Sequence, residues 1–223
     1  MAFEDAGLDW VWDEELYGEL LKVTGGKQRM KHFLAHFYQG EPPAGNQDEL
    51  IAQLHNNKNA HYQALLAEGK IPLRSGVKRL ILEAMDEGIV VGIATTTTPG
   101  NVYSLLKATL GEESLQWFGV IAAGDMVPEL KPAPDVYEFA MQKLALSAGE
   151  CIAVEDSANG VRSAVAAGLV TLVTTNGYTR NDDFSGASLV VDGMGDSDKP
   201  CAVISGSMGD GDRITVDVLR GLI

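Results

Sequence analysis

Residues 151–175 read CIAVEDSANGVRSAVAAGLVTLVTT. An apolar run of strand length, CIAV, turns at Glu155-Asp156-Ser157 and continues as a helical pattern to Ala167. A second apolar run, LVTLVTT, follows at 169–175. Strand-length runs separated by about 10–15 helical residues make a βαβ unit with parallel strands.

The same rhythm extends outward in both directions. Strands are predicted at 89–94 (IVVGIA), 117–123 (WFGVIAA), 151–155 and 169–175, with a short one at 188–192 (SLVVD). Helices are predicted up to Asp86, from Gly100 to Leu110, from Asp135 to Leu146 and from Ser157 to Ala167. From Ile71 onward this spells an α/β fold, a parallel sheet with helices on both faces. Residues 193–212 read as a Gly- and Asp-rich loop, and RITVDVLRGL at 213–222 as a short helix.

Before Ile71 the pattern is helical. Leu16, Leu20 and Val23 share a face within 13–23, as do Met30, Phe33, Leu34 and Phe37 within 27–38. Leu50, Ile51, Leu54, Leu65 and Leu66 mark a longer helix over 48–68. Three helices and no strand are expected there. The division is therefore a helical domain over 1–70 and an α/β domain over 71–223.

Composition narrows the partners. The chain has 223 residues, 17 basic and 31 acidic, for a net charge of −14. Neither nucleic acid nor an anionic membrane is attracted to such a surface. An anionic metabolite is compatible with it only where lysines, threonine hydroxyls or a bound cation gather locally. Two cysteines, Cys151 and Cys201, make no disulfide framework and suit a reducing cytoplasm. The start, MAFEDAGLDW, lacks the basic and apolar regions of a signal peptide. The run IVVGIA falls far short of the roughly 20 residues of a membrane span. A soluble, cytoplasmic monomer acting on a small molecule is expected.

Open parallel sheets bind ligands beyond the carboxyl ends of their strands, so the segment after each strand matters. After IVVGIA come Thr95, Thr96, Thr97 and Thr98, then Pro99-Gly100-Asn101 opening a helix. Hydroxyls beside a helix N-terminus suit a phosphate, and a β-branched strand end with a threonine cap would look the same. After WFGVIAAGD, Lys131 stands before Pro132, with Pro134 leading into the next helix. A rigidly held lysine can neutralise a phosphoryl group; a solvated loop lysine is the plain alternative. Glu155 and Asp156 are adjacent carboxylates at a strand end, a donor set suited to Mg²⁺. Acids complementing a helix dipole are the rival reading, although one would suffice. His32 and His36 have the i, i+4 spacing for a shared metal, but Phe33, Leu34 and Phe37 mark a helix packed on others. The string TGGKQR at 24–29 reads equally as a helical-hairpin turn and as an anion-gripping loop.

Taken in order, Thr95 after its strand, KPAPD at 131–135 and VEDS at 154–157 resemble the second, third and fourth motifs of the haloacid dehalogenase superfamily. VTGGKQR, LHNNK at 54–58, IPLRSGV, IATTTTPGNV and TTNGYTR are similar to its CbbY-like branch. Members of that branch are Mg²⁺-dependent phosphatases of sugar phosphates, some acting on xylulose bisphosphate, an inhibitor of Rubisco. A helical cap closes over a Rossmann-like core. The resemblance implies that Thr95 holds the transferring phosphoryl group and that Lys131 bridges it to the nucleophile. It implies Asp156 as a Mg²⁺ ligand, with Glu155 on the metal or its water, and Thr96 and Thr97 facing the substrate. Gly26, Lys27, Arg29, Lys58 and Arg74 would grip a distal phosphate from the cap and hinge. Rival readings are a β-phosphoglucomutase-like phosphomutase and a non-catalytic protein that binds sugar phosphates.

One element of the family pattern has no counterpart. The first motif, an apolar strand ending in D-x-D-G, supplies the nucleophile and the general acid/base. Asp196-Ser197-Asp198 and Asp210-Gly211-Asp212 follow no apolar strand and lie in the terminal loop. The expectation is an N-terminally incomplete enzyme, inactive as written. Its strands at 89–94 and 151–155 should flank a central gap, leaving the chain unstable or closed by a pairing foreign to the family.

Overall fold

The computed structural model describes residues 1–41, 43 and 45–223. Four helices come first: α1 (Ala2–Asp5), α2 (Glu14–Leu20), α3 (Gly26–His36) and α4 (Gln47–Ala67). Asp13 accepts from the Leu16 amide at 2.8 Å and starts α2. Asn46 accepts from the Asp48 and Glu49 amides and starts α4. Helix α1 is too short for periodicity to reveal; Phe3 holds it by packing edge-on to Trp10 and Trp12, at 5.4 and 5.1 Å. Trp10, Leu20, Met30, Phe33, Ile51 and Leu54 form the buried centre of this helical group. Phe37, expected on the same face, is exposed because α3 ends at His36.

The remaining elements alternate. In chain order they are α5 (Val77–Asp86), β1 (Val91–Ala94), α6 (Pro99–Leu110), β2 (Phe118–Ala122), α7 (Asp135–Leu144), β3 (Ile152–Glu155), α8 (Ala158–Ala166), β4 (Val170–Thr174), β5 (Leu189–Val191), β6 (Val203–Ser205) and α9 (Val216–Arg220). β1 and β2 are parallel, as are β3, β4 and β5. β6 runs antiparallel to β5 inside the segment expected to be loop. Its three residues are all exposed, too few and too wet to carry an alternating pattern.

The strands lie in two sheets, β1-β2 and β3-β4-β5-β6. Among the described residues β1 pairs only with β2, and β3 pairs with β4 alone, so each keeps one edge without a strand partner. Among the described residues no alternative pairing joins them. Side chains connect the two sheets instead: Val120 and Ala122 of β2 share a core with Ala153 of β3, Ala164 of α8 and Val136 and Tyr137 of α7. A second core sets Leu172, Leu189 and Val191 against Leu80 and Ala84 of α5 and Ile214 and Val216 near the C-terminus. Among the described residues no helix is long and apolar enough to cross a membrane, and both cysteines are free.

Gly76 caps α5 at φ +79°, where a Cβ would strike the Gly195 carbonyl and Met194. Gly88 has a similar φ of +72° with open space beside it. Left-handed backbone costs a non-glycine residue about 1–2 kcal/mol, so Gly88→Ala should lose about that much. Gly76→Ala should lose clearly more, because it adds a clash with backbone. Equal shifts of the two denaturation midpoints would contradict this account.

Candidate active site

The loop after β1 is pinned against β2. Thr95 N donates to Ala122 O at 2.9 Å, Gly124 N donates to Thr97 O at 3.1 Å, and Thr97 N donates to Thr95 Oγ1 at 3.3 Å. A side chain at 124 would drive a Cβ within 2.5 Å of the Thr96 carbonyl, so the close approach needs glycine. Thr95, Thr96, Thr97 and Thr98 are held as a half-buried ledge ahead of α6.

Lys131 reaches the ends of both β1 and β3. Its Nζ donates to Ala94 O at 3.0 Å and to Glu155 Oε1 at 2.5 Å, and lies 4.7 Å from the Tyr137 ring centroid. Tyr137 Oη donates to the same Glu155 oxygen. The Lys131 and Glu155 side chains are only 11% and 6% exposed, so this is a buried ion pair with a third partner. Burial, and then the Glu155 charge, push the Tyr137 phenol far above its ordinary range, which keeps it a hydrogen-bond donor. Gly160 must lack a side chain, because a Cβ there would overlap the Glu155 carboxylate.

Asp156 lies beside this pair and opens to solvent. Protein crowding on its inner side, followed by the Glu155 charge, raises its carboxyl, while Lys131 and Arg74 pull it down. Among the described residues no other residue donates a hydrogen bond to its carboxylate, whereas Glu155 spends Oε1 on Lys131 and Tyr137. No third His, Cys, Asp or Glu joins them within reach of one metal ion among the described residues. Two carboxylates suit Mg²⁺, which keeps waters and a substrate phosphate in its remaining positions. Arg74 turns its guanidinium to the core, donating to Thr174 Oγ1 at 2.9 Å, Thr175 O at 2.6 Å and Asp192 O at 3.2 Å. Its donors fasten the segment entering α5 to the ends of β4 and β5.

The helical group brings a second set together. A Cβ at Gly26 would meet the His55 ring at 2.9 Å, so glycine lets the start of α3 approach α4 closely. Lys58 and Lys27 both lower the His55 pKa after burial does, and Arg29 lowers that of Lys58 after burial does. Lys27, Arg29 and Lys58 therefore form one cationic neighbourhood around His55, which burial and the two lysine charges hold toward its neutral form. Among the described residues no carboxylate forms an ion pair with any of the four. Arg29 also ties the helical group together, since its Nε and Nη2 donate to Leu20 O and Val23 O at 3.1 and 3.3 Å.

Several contacts join this group to the α/β part. Asn101 of α6 donates to Asn59 of α4 at 3.2 Å. Asn159, at the start of α8, donates to Lys22 O and Thr24 Oγ1 at 3.0 and 2.9 Å. Tyr178 packs edge-on against Tyr17 at 5.6 Å. Leu130, next to Lys131, lies beside Gly25, where a Cβ would be 3.1 Å from its Cδ1. The turn at 24–29 thus adjoins the lysine loop.

Sequence reasoning missed Tyr137, His55, Asn59, Asn101 and Asn159. Tyr137 stands two residues beyond KPAPD, a spacing that turns it back toward Lys131, but a tyrosine in an apolar helix face reads as core. The asparagines carried no signal, being unremarkable helix residues. His32 and His36 lie with ring centroids 4.4 Å apart and planes tilted by 46°, and no third ligand accompanies them among the described residues. A groove of about 670 Å³ lined by Lys78, Arg79, Glu83 and Asp196 lies along α5 and contains none of the expected site residues.

A loop lysine paired to a strand-end acid, beside an exposed carboxylate and a hydroxyl ledge, gathers groups suited to a phosphoryl ligand. The chain matches the haloacid dehalogenase-like hydrolase family over residues 1–168, and it belongs to that family. It is 44% identical over 199 residues to Protein CbbY of Cupriavidus necator, covering 89% of this chain and 78% of that protein. The crystal structure of CbbY from Rhodobacter sphaeroides in complex with phosphate superposes with a TM-score of 0.80 at 44% identity, over 86% of this chain and 83% of that one. A second structure of that protein, in complex with xylulose-(1,5)bisphosphate, superposes equally well, with a TM-score of 0.80. A β-phosphoglucomutase from Clostridium difficile, 19% identical with a TM-score of 0.64, shares the fold.

Removing one partner of a buried ion pair strands the other charge, at a cost of about 3–5 kcal/mol. Lys131→Met and Glu155→Gln should each lower the denaturation midpoint strongly. The double variant should be more stable than the sum of the two losses implies. Strict additivity would show that the pair carries no coupling.

Proposed function

We propose that the chain is the cap and catalytic core of a Mg²⁺-dependent phosphatase acting on a small phosphorylated sugar, with xylulose bisphosphate the leading substrate. The observation that carries this reading is the neighbourhood of Lys27, Arg29 and Lys58 around His55, without an ion-paired carboxylate among the described residues and beside the loop of Lys131. In a protein of net charge −14, such cations without counter-ions call for an anionic ligand. Two phosphoryl groups on one sugar would occupy this neighbourhood and the Lys131 loop together. The xylulose-bisphosphate complex of a 44% identical relative supports the same substrate class.

In this reading residues 1–70 are the cap and 71–223 the core. Thr95 and Lys131 hold the transferring phosphoryl group, Thr96 and Thr97 face the sugar, and the cap lysines hold the distal phosphate with Gly26 giving access. Arg29 keeps the turn at 20–23 in shape while lending its charge, and Arg74 contributes charge from its anchored position. Asp156 and Glu155 would hold Mg²⁺, which when bound would neutralise phosphate charge. Hydrolysis through an aspartyl-phosphate needs a carboxylate nucleophile between β1 and β3. Among the described residues Glu155 and Asp156 are the acids of this centre; Glu155 is committed to Lys131 and Tyr137, and Asp156 would be taken up by Mg²⁺ in this reading. The chain as written should therefore bind the sugar phosphate without turning it over.

The test compares this chain with the same chain preceded by an apolar strand ending in D-x-D-G, with Mg²⁺ and xylulose 1,5-bisphosphate. The 223-residue chain should bind the sugar and release no phosphate, and the extended one should release it. Asp156→Ala should abolish both that release and the rise in melting temperature that Mg²⁺ gives the parent. Turnover by the 223-residue chain that is lost in Asp156→Ala would refute the proposed inactivity. An isomerised sugar phosphate with no free phosphate would mark a phosphomutase, and binding without turnover in both chains would mark a non-catalytic binder.

A further inference from the structure

Asn101 lies in the first turn of α6 and is 4% exposed. Its amide nitrogen points two ways, donating to Thr97 Oγ1 at 3.0 Å in the hydroxyl ledge and to Asn59 Oδ1 at 3.2 Å on α4. The two N–H groups of one carboxamide are thus divided between the ledge and the helical group. Beyond them the chain of contacts continues. Asn59 Nδ2 meets His55 Nδ1 at 3.5 Å, and His55 feels the charges of Lys58 and Lys27. On the other side, Thr97 N donates to Thr95 Oγ1.

The rest of Asn101 argues against simple filling. Its Oδ1 is fully buried and has no hydrogen-bond partner among the described residues. A buried amide oxygen without a donor is a standing cost, which an apolar side chain of similar size would avoid. The nitrogen side must therefore supply something that packing cannot. Because Thr97 Oγ1 accepts from Asn101, the Thr97 hydroxyl proton is left to donate to a ligand oxygen.

We propose that Asn101 is a positioning residue that fixes the spacing between the cap cations and the threonine ledge, so that the protein selects sugars phosphorylated at both ends. The inference rests on the functional reading above and adds the selecting residue. A ligand with one phosphoryl group uses one centre and is indifferent to the spacing. A ligand with two gains from it as any two-point binder does: the second contact becomes intramolecular, at an effective concentration set by how rigidly the two sites are held. A loosened bridge would weaken the two-ended ligand and spare the one-ended ligand.

The experiment measures binding of xylulose 1,5-bisphosphate and of xylulose 5-phosphate, with Mg²⁺, to the chain and to Asn101→Leu, Asn101→Asp and Asn59→Ala. Asn101→Asp keeps the shape and removes the N–H donors. Each variant should weaken the bisphosphate at least about tenfold and the monophosphate less than about twofold. The Asn59→Ala/Asn101→Leu double variant should be no worse than the weaker single one. Equal loss for both ligands would make Asn101 merely structural, and either full retention or multiplicative losses would also overturn the bridge. If the parent chain binds neither sugar, the functional reading falls, and amide exchange judges the bridge alone. Faster exchange in Asn101→Leu at both 55–60 and 95–98 would support it, and a change on one side or neither would reject it.

Discussion

The ends of β1 and β3 belong to different sheets, and Lys131 is the residue that touches both. Its ammonium takes the last carbonyl of β1 and the last carboxylate of β3, with Tyr137 closing the group from α7. A charge pair so deeply buried is tolerable only when its hydrogen bonds are filled, and here three donors and acceptors meet at one point. Much of the site follows from that constraint. Gly160 has to be glycine so that the Glu155 carboxylate has room, and Pro132 and Pro134 both follow Lys131 in the loop that delivers it. Asp156, next in the chain, is pushed to the open side with its oxygens uncommitted.

The second charged centre is built on a different logic. Lys27, Arg29, Lys58 and His55 crowd one another, and burial lowers the pKa values of Arg29, Lys58 and His55. Like charges held together without acids are unfavourable in a ligand-free protein, and the surplus of 31 acidic over 17 basic residues makes the lack of a partner more telling. The two centres are complementary: one pairs its lysine internally and keeps a carboxylate free, and the other leaves its cations unpaired. The Asn101, Asn159 and Tyr178 contacts hold the helices that carry them in one arrangement.

Much of this was legible in the chain. The alternation from Ile71 onward gave the helices and parallel strands within a few residues, and TTTT, KPAPD and VEDS marked the segments that converge at the strand ends. The Gly25-Gly26 stop and the cations after it were legible as a turn, though not as a choice between hairpin and anion site. Helix α1 and strand β6 were hidden because three or four residues cannot express a period. Tyr137 and the asparagines were hidden because their residue types are ordinary for a helix. Arg74 was legible as a cation near the hinge but not as one anchored by four oxygens of the core.

By itself, then, the sequence determined the order of elements, the parallel sheet and the identity of the strand-end residues, since these rest on local periodicity and on chemistry a few residues apart. Only the tertiary structure decided the pairings: Glu155 with Lys131 across 24 positions, Asn101 with Asn59 across 42, and Arg74 with Thr174 across 100. Such contacts arise when helices and strands pack, and the geometry of packing depends on every buried side chain at once. No single stretch of the chain encodes it.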